Sequence, residues 1–119
     1  AVFGCGPVGI MAMKAAWLNG AGRVIGVDCL DYRLDIAKKC AKAEVINFKN
    51  VDPIEVIRGM TEGRGADVVI DAVGMEADHT FFEKAANLVH AQVGSINALK
   101  MCCSAVRRGG KISLLGVYG

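Results

Sequence analysis

Short runs of apolar residues alternate along this chain with longer stretches in which apolar residues return at helical spacing. The run at 23–28 is rich in valine and isoleucine, which is typical of strands buried on both faces of a parallel sheet, and shorter apolar runs lie at 44–47, 66–70 and 111–115. The apolar residues Ala1, Val2 and Phe3 indicate one more strand, cut at its N-terminal side. The pattern predicts a strand at each of these places.

The segments between the predicted strands have helical spacing. Helices are predicted over 7–18, 31–41 and 53–61, and two more over 78–90 and 95–106. Asp31 and Asp52 are expected to be N-caps, and Pro7 and Pro53 suit a first helical turn, where a missing N–H does no harm. The Arg-Arg-Gly-Gly segment at 107–110 is expected to close the last helix with basic side chains and a glycine turn.

Strands that alternate with helices favour an α/β fold, since right-handed crossovers place helices on both faces of a parallel sheet. The simplest arrangement is a doubly wound Rossmann sheet with strand order 3-2-1-4-5, truncated at the first strand and lacking the sixth. Ligands of such sheets bind at the carboxyl ends of the strands where the order reverses. The binding crevice is therefore expected between the first and fourth strands.

The composition agrees with one globular domain and argues against several functions. The chain has 119 residues, of which 53% are hydrophobic and 22% are charged. A net charge of +2 with interspersed signs does not favour a nucleic-acid partner. No apolar run approaches the roughly 20 residues that cross a bilayer, and the N-terminus has no signal-peptide pattern, so a cytoplasmic protein is expected.

Cysteine and histidine usage gives no metal or catalytic candidate. The 5 cysteines are odd in number and lack Cys-x-x-Cys spacing, so they are expected to be buried or half-buried free thiols. Cys102 and Cys103 are adjacent on a predicted helix and should point to different faces. His79 and His90 stand alone, which is more common for structural or surface histidines than for catalytic ones. No metal ligand and no catalytic residue is predicted.

The glycine-rich segment Gly-Cys-Gly-Pro-Val-Gly at 4–9 joins the first strand to the first helix. Gly4 allows a tight turn, Gly6 lets the backbone approach a diphosphate, and Gly9 allows close packing of the helix on the strand. The helix that begins at Pro7 directs free N–H groups and its positive dipole end at the same place. The segment therefore predicts an anion site that suits the diphosphate of a dinucleotide.

Asp28 strengthens this interpretation, because three glycines alone are a weak signal. It ends the second strand, where an acidic side chain can accept hydrogen bonds from the adenosine ribose. A carboxylate there would repel a 2′-phosphate, so NAD is predicted over NADP. Arg33 lies near the start of the next helix and either faces the adenosine or is an ordinary solvated helix residue.

Taken together, these segments resemble the coenzyme-binding domain of the zinc-dependent alcohol dehydrogenases in the medium-chain dehydrogenase/reductase superfamily. The motifs that carry the resemblance are the glycine segment at 4–9, Val-Ile-Gly-Val-Asp at 24–28, Gly-Ala-Asp-Val-Val-Ile-Asp-Ala-Val-Gly at 65–74 and Gly-Gly-Lys-Ile at 109–112. A longer helical segment at 75–100 departs from the common family pattern and looks like the formaldehyde dehydrogenase branch.

The resemblance implies an NAD-binding domain over 1–119 of a larger oxidoreductase that acts on an alcohol or aldehyde. Its catalytic zinc and zinc ligands would belong to a part of the enzyme that precedes this domain, so the chain alone is expected to be inactive. The parent enzyme is expected to be a homo-oligomer. The implied cofactor-binding residues are Gly4, Gly6, Pro7, Val8 and Gly9 around the diphosphate, Asp28 and Arg33 at the adenosine, Val73 and Gly74 at the adenine side and ribose, and Leu115, Gly116 and Val117 at the nicotinamide end.

Two other functions remain open at this point. A methyltransferase that binds S-adenosylmethionine shares the α/β sheet, a glycine-rich first loop and an acidic residue after the second strand. Its ligand has no diphosphate, so the proline-led helix start and Arg33 would have no role. The other alternative is a non-catalytic Rossmann module that binds a nucleotide only to sense it. Short-chain dehydrogenases are set aside, because their glycine spacing differs and no Tyr-x-x-x-Lys pair occurs here.

Overall fold

A computed structural model of the chain describes residues 1–74 and 96–116. Within these residues the strands form one parallel sheet of order β3-β2-β1-β4-β5, which confirms the predicted order. The predicted helix over 78–90 and residue Val117 lie outside the described residues. The strands are β1 (Val2–Phe3), β2 (Ile25–Asp28), β3 (Glu44–Asn47), β4 (Ala66–Asp71) and β5 (Val106–Leu114).

Helices connect the strands close to the predicted places. They are α1 (Pro7–Leu18), α2 (Asp31–Cys40), α3 (Pro53–Met60) and α4 (Ile96–Ala105). The side chain of Asp52 accepts a hydrogen bond from Ile54 N at 2.9 Å, so the predicted N-cap of α3 is confirmed.

The predicted N-cap of α2 is wrong. The cap position is Leu30, and Asp31 is the first helical residue. Its carboxylate accepts a hydrogen bond from the Asn47 side-chain amide at 2.8 Å instead of capping the helix. The turn before α2 is already held by Asp28, whose carboxylate accepts the N–H groups of Cys29 and Leu30, so the helix begins one residue earlier than the motif indicates.

Strand β5 begins directly after α4, without a glycine turn between them. Residues 107–110 belong to the strand, so the prediction that they close the helix is wrong. Ala66 pairs with Val106 and Val68 pairs with Lys111, which leaves 107–110 as an irregular stretch opposite β4. Gly109 has a φ of +71°, which glycine adopts without strain, and this conformation lets the strand bulge while its pairing with β4 continues.

The central strands of the sheet are covered on both faces, as a doubly wound fold requires, whereas the edge strand β5 has no buried residue. In β1, Val2 faces a core formed with α1 and α2, whereas Phe3 faces a second core formed with α3 and α4. Both residues are only 2% exposed. The C-terminal end of β1 therefore lies at the centre of the sheet edge, between β2 and β4. Across residues 1–74 and 96–116, no helix is long and apolar enough to span a membrane.

Candidate functional site

Two glycines after β1, Gly4 and Gly9, have no room for a side chain. Gly4 has a φ of +95°, and a Cβ added to it would lie 2.8 Å from the carbonyl oxygen of Ala72, just after β4. A Cβ on Gly9 would lie only 1.8 Å from the carbonyl oxygen of Gly4. The first turn of α1 therefore rests directly on the end of β1, and the turn itself contacts the end of β4.

Gly6 differs from its two neighbours because its side is open. It is the N-cap of α1 and provides no side-chain cap, so the helix start presents backbone N–H groups and the positive end of the dipole. Within 1–74 and 96–116, an added Cβ would meet only the guanidinium of Arg33, with Nη1 at 3.7 Å. Pro7 is the first helical residue, and Val8 is 55% exposed beside it. This is an open backbone cradle of the kind that holds a diphosphate.

Asp28 ends β2 with its side chain 1% exposed. One carboxylate oxygen accepts Cys5 N at 2.8 Å, and the other accepts Cys29 N at 2.6 Å and Leu30 N at 3.1 Å. The carboxylate thus ties the glycine turn to the start of α2. A carboxylate has about four acceptor positions, and these bonds occupy three of them.

Arg33 lies on α2 with its guanidinium against Gly6. Its Nε donates a hydrogen bond to the hydroxyl of Tyr32 at 3.1 Å. Partial burial lowers the pKa of Arg33, but the Tyr32 hydrogen bond and the nearby charge of Asp28 outweigh it and leave the pKa raised. The guanidinium is therefore a fixed positive charge beside the cradle. Sequence reasoning missed Tyr32, since no motif distinguishes it from other exposed helix residues.

The other half of the predicted site lies at the ends of β4 and β5. Asp71, which ends β4, accepts Val73 N at 3.0 Å on its carboxylate, and its carbonyl oxygen accepts Leu115 N at 2.8 Å and Gly116 N at 3.0 Å. A Cβ on Gly116 would lie 2.8 Å from the carbonyl oxygen of Val73. Burial raises the pKa of Asp71, while the Val73 amide lowers it less. The sequence marked this residue only as the end of a strand.

The predicted residues thus form two groups on either side of the β1 end. The glycine turn, Asp28 and Arg33 form one group, and Val73, Leu115 and Gly116 form the other. Among the residues that the structure describes, none apart from its chain neighbour lies within 4 Å of a Cβ added to Gly74. The contact of Gly4 with Ala72 joins the two groups. The resulting line along the carboxyl edge suits an extended ligand better than a compact one.

The cysteines are free thiols, but the prediction that they are buried or half-buried is wrong for Cys40 and Cys103, which are exposed. Cys102 is fully buried and Cys103 is exposed, which confirms that the adjacent pair points to different faces. Within residues 1–74 and 96–116, no three His, Cys, Asp or Glu side chains are close enough to hold a metal ion. His79 and His90 lie outside the part of the chain that the structure describes.

The buried thiols give a testable dependence of stability on pH. Burial and the nearby charge of Asp71 raise the pKa of Cys102 from about 9 to about 12. Above pH 9 the thiol ionises in the unfolded chain but not in the folded one, so this contribution to stability is complete below pH 9 and is lost as the pH rises toward 12. We expect the free energy of unfolding to fall by up to about 1.4 kcal/mol per pH unit from this thiol.

Urea unfolding at several pH values between 8 and 10.5 checks this expectation on two matched variants. Cys102→Ala should reduce the decline with pH, whereas Cys103→Ala, on the exposed face, should keep it. Burial also raises the pKa of Cys5 to about 12, but Cys5 is common to both variants. An equal decline in both variants would contradict a role for the buried thiol.

Comparison with known proteins agrees with the geometry. A family model described as zinc-binding dehydrogenase matches residues 7–92. The chain belongs to this family. A zinc-type alcohol dehydrogenase-like protein of Bacillus subtilis strain 168 is 46% identical over 99% of the chain, which corresponds to 31% of that relative. An L-threonine 3-dehydrogenase of Symbiobacterium thermophilum is 35% identical over 99% of the chain and 28% of its own length.

The fold is also that of a solved dehydrogenase. Alcohol dehydrogenase from Thermus sp. ATN1 superposes with a TM-score of 0.78 and 30% identity, over 99% of this chain and 28% of that one. The chain thus has the Rossmann-like fold of the nucleotide-binding domains of alcohol dehydrogenases, and it spans about a third of the length of the relatives that it matches. The resemblance to the formaldehyde dehydrogenase branch stays a prediction.

Proposed function

We propose that this chain binds NAD(H) as the nucleotide-binding domain of an alcohol dehydrogenase-like oxidoreductase. The observation that carries the proposal is the open side of Gly6 at the start of α1, flanked by the Arg33 guanidinium and by Asp28. A side chain at Gly6 would occupy the space beside Arg33 that the backbone alone leaves open to a diphosphate. Family membership supports the same function.

Each group of the site would bind a different part of the cofactor. The N–H groups at the start of α1 would hold the diphosphate, with Arg33 balancing part of its charge. The remaining acceptor position of Asp28 would bind a ribose hydroxyl, and the same carboxylate would repel a 2′-phosphate, so NAD would bind in preference to NADP. Val73, Gly74, Leu115, Gly116 and Val117 would continue the site toward the nicotinamide end. When bound, the nicotinamide ring carries the hydride.

The substrate and the metal would belong to the other part of a longer enzyme. The chain covers only 31% of its Bacillus relative, and residues 1–74 and 96–116 hold no cluster that could bind zinc. Zinc in the remaining part would polarise the oxygen of an alcohol or aldehyde, while this chain would orient the nicotinamide toward it. The two relatives are named for different substrates, an alcohol and L-threonine, so the substrate is left at the level of an alcohol or aldehyde.

Calorimetric titration of the chain with NADH, NADPH and S-adenosylmethionine tests the proposal. We expect NADH to bind at least about tenfold more tightly than NADPH and S-adenosylmethionine not to bind. Gly6→Val tests the position of the site. Gly6 has extended backbone angles that valine adopts readily, and the valine side chain would occupy the cradle. This variant should fold normally and lose at least about tenfold in NADH affinity.

Other outcomes distinguish the alternatives. Binding of S-adenosylmethionine without NADH would favour a methyltransferase and overturn the proposal. Equal affinities for NADH and NADPH would contradict the role of Asp28 in selectivity but retain the dinucleotide site. Binding that is unchanged in Gly6→Val would place the ligand away from the glycine turn. No binding of any of the three ligands to the folded chain would also count against the proposal.

A further inference from the structure

The Arg33 side chain is held in place by the residue next to it. The hydroxyl of Tyr32 accepts a hydrogen bond from Arg33 Nε at 3.1 Å, and the guanidinium carbon lies 5.8 Å from the centre of the Tyr32 ring. Tyr32 itself is 59% exposed, so it adds little to the core. Its position on the surface of α2 is explained better by the contact with Arg33 than by packing.

The hydrogen bond to Tyr32 does not use the terminal nitrogens of the Arg33 guanidinium. The hydrogen bond uses Nε, while Nη1 is the arginine atom that lies nearest the open side of Gly6, at 3.7 Å from an added Cβ. A free arginine side chain has many rotamers, and ordering it at the moment of binding costs conformational entropy. A hydroxyl that fixes Nε before the ligand arrives removes part of that cost.

We propose that Tyr32 is a positioning residue, which holds Arg33 so that its terminal nitrogens contact the diphosphate on the adenosine side. The inference rests on the proposed function, since it needs a phosphate-bearing ligand at Gly6. Tyr32 does not touch the ligand in this arrangement and acts only through Arg33. The opposite arrangement, in which Tyr32 holds Arg33 as an obstacle in the cradle, predicts tighter binding when either residue is replaced.

A double-mutant cycle on the folded chain separates these possibilities. NADH affinity is measured by the change in cofactor fluorescence for wild type, Tyr32→Phe, Arg33→Lys and the double variant, and ADP-ribose is titrated by calorimetry as a ligand without nicotinamide. Tyr32→Phe keeps the ring but loses the acceptor for Nε, and we expect about 2- to 10-fold weaker binding of both ligands. Lysine has no Nε–H fork, so Tyr32→Phe should have no further effect in the Arg33→Lys background.

Two controls show whether the effect comes from positioning. Ile36→Ala removes another exposed side chain one turn further along α2 and should leave both affinities unchanged. Thermal unfolding without ligand should be the same for Tyr32→Phe and wild type, because the hydroxyl lies on the surface. A purely structural effect of the hydroxyl would lower the unfolding temperature and would persist when residue 33 is lysine.

The results that overturn the inference differ from those that overturn the proposed function. If wild type binds NADH and Tyr32→Phe binds it equally well or more tightly, Tyr32 does not position Arg33 for binding. If the effects of Tyr32→Phe and Arg33→Lys simply multiply, Tyr32 acts independently of Arg33 and the inference is also wrong. If wild type binds neither NADH nor ADP-ribose, the proposed function fails, and the inference fails with it.

Discussion

Gly9→Ala is expected to destabilise the fold by about 3 kcal/mol or more, although alanine is the better helix former. Helix propensity alone would favour the variant by about 1 kcal/mol. The new Cβ, however, would lie 1.8 Å from the carbonyl oxygen of Gly4, which is backbone and belongs to a turn that already contacts β4. Neither α1 nor the turn can move away without opening the core between the sheet and the helix. Urea unfolding followed by circular dichroism measures the loss.

The same substitution elsewhere in the chain provides the controls. Gly6→Ala places a Cβ 3.7 Å from the end of the flexible Arg33 side chain, so stability should change by less than about 0.5 kcal/mol. Gly59→Ala, inside α3, would place its Cβ more than 4 Å from the other residues that the structure describes, apart from the adjacent helix backbone, and should stabilise the protein by about 0.5–1 kcal/mol. If Gly9→Ala unfolds at the same urea concentration as wild type, α1 does not rest on the turn as described.

The strand order was predictable because two independent signals in the sequence agree. The buried strands have continuous apolar runs, and the glycine turn after Phe3 marks β1 as the strand where the order reverses. The local sequence pattern predicted the wrong element where strand pairing between distant residues determined the structure. Arg-Arg-Gly-Gly at 107–110 contains the signals of a helix end, yet pairing with β4 makes it a bulged strand. Sequence spacing carries no information about that pairing.

The sequence predicted where the residues of the candidate site lie better than it predicted which atoms they contact. Motif spacing placed Gly6, Asp28 and Arg33 at one edge, and the structure brings them together. Motif spacing did not predict that the Asp28 carboxylate accepts a hydrogen bond from Cys5 N, because any residue type can supply a backbone N–H for such a long-range contact. The Tyr32 contact was missed for the same reason. A tyrosine on a helix surface has many possible partners, and only the coordinates select one.

Asp28→Asn is expected to affect folding and binding together. Asparagine has only one acceptor oxygen, and its NH₂ group would face N–H donors that the buried carboxylate now accepts from Cys5, Cys29 and Leu30. We expect a loss of about 2–4 kcal/mol in the free energy of unfolding. If the carboxylate also repels a 2′-phosphate, as the proposed function requires, the preference for NADH over NADPH should shrink at least about tenfold.

Asp31→Asn is the matched control, because it makes the same chemical change three residues away at an exposed position. Its only described partner is the Asn47 amide, so stability should change by less than about 1 kcal/mol and selectivity should not change. Urea unfolding and calorimetric titration with both cofactors measure the two effects separately. Unchanged stability in Asp28→Asn would mean that the turn holds itself without the carboxylate. If the preference for NADH over NADPH nevertheless fell in that variant, the carboxylate would act on the ligand alone, and its hydrogen bond to the glycine turn would not contribute to stability.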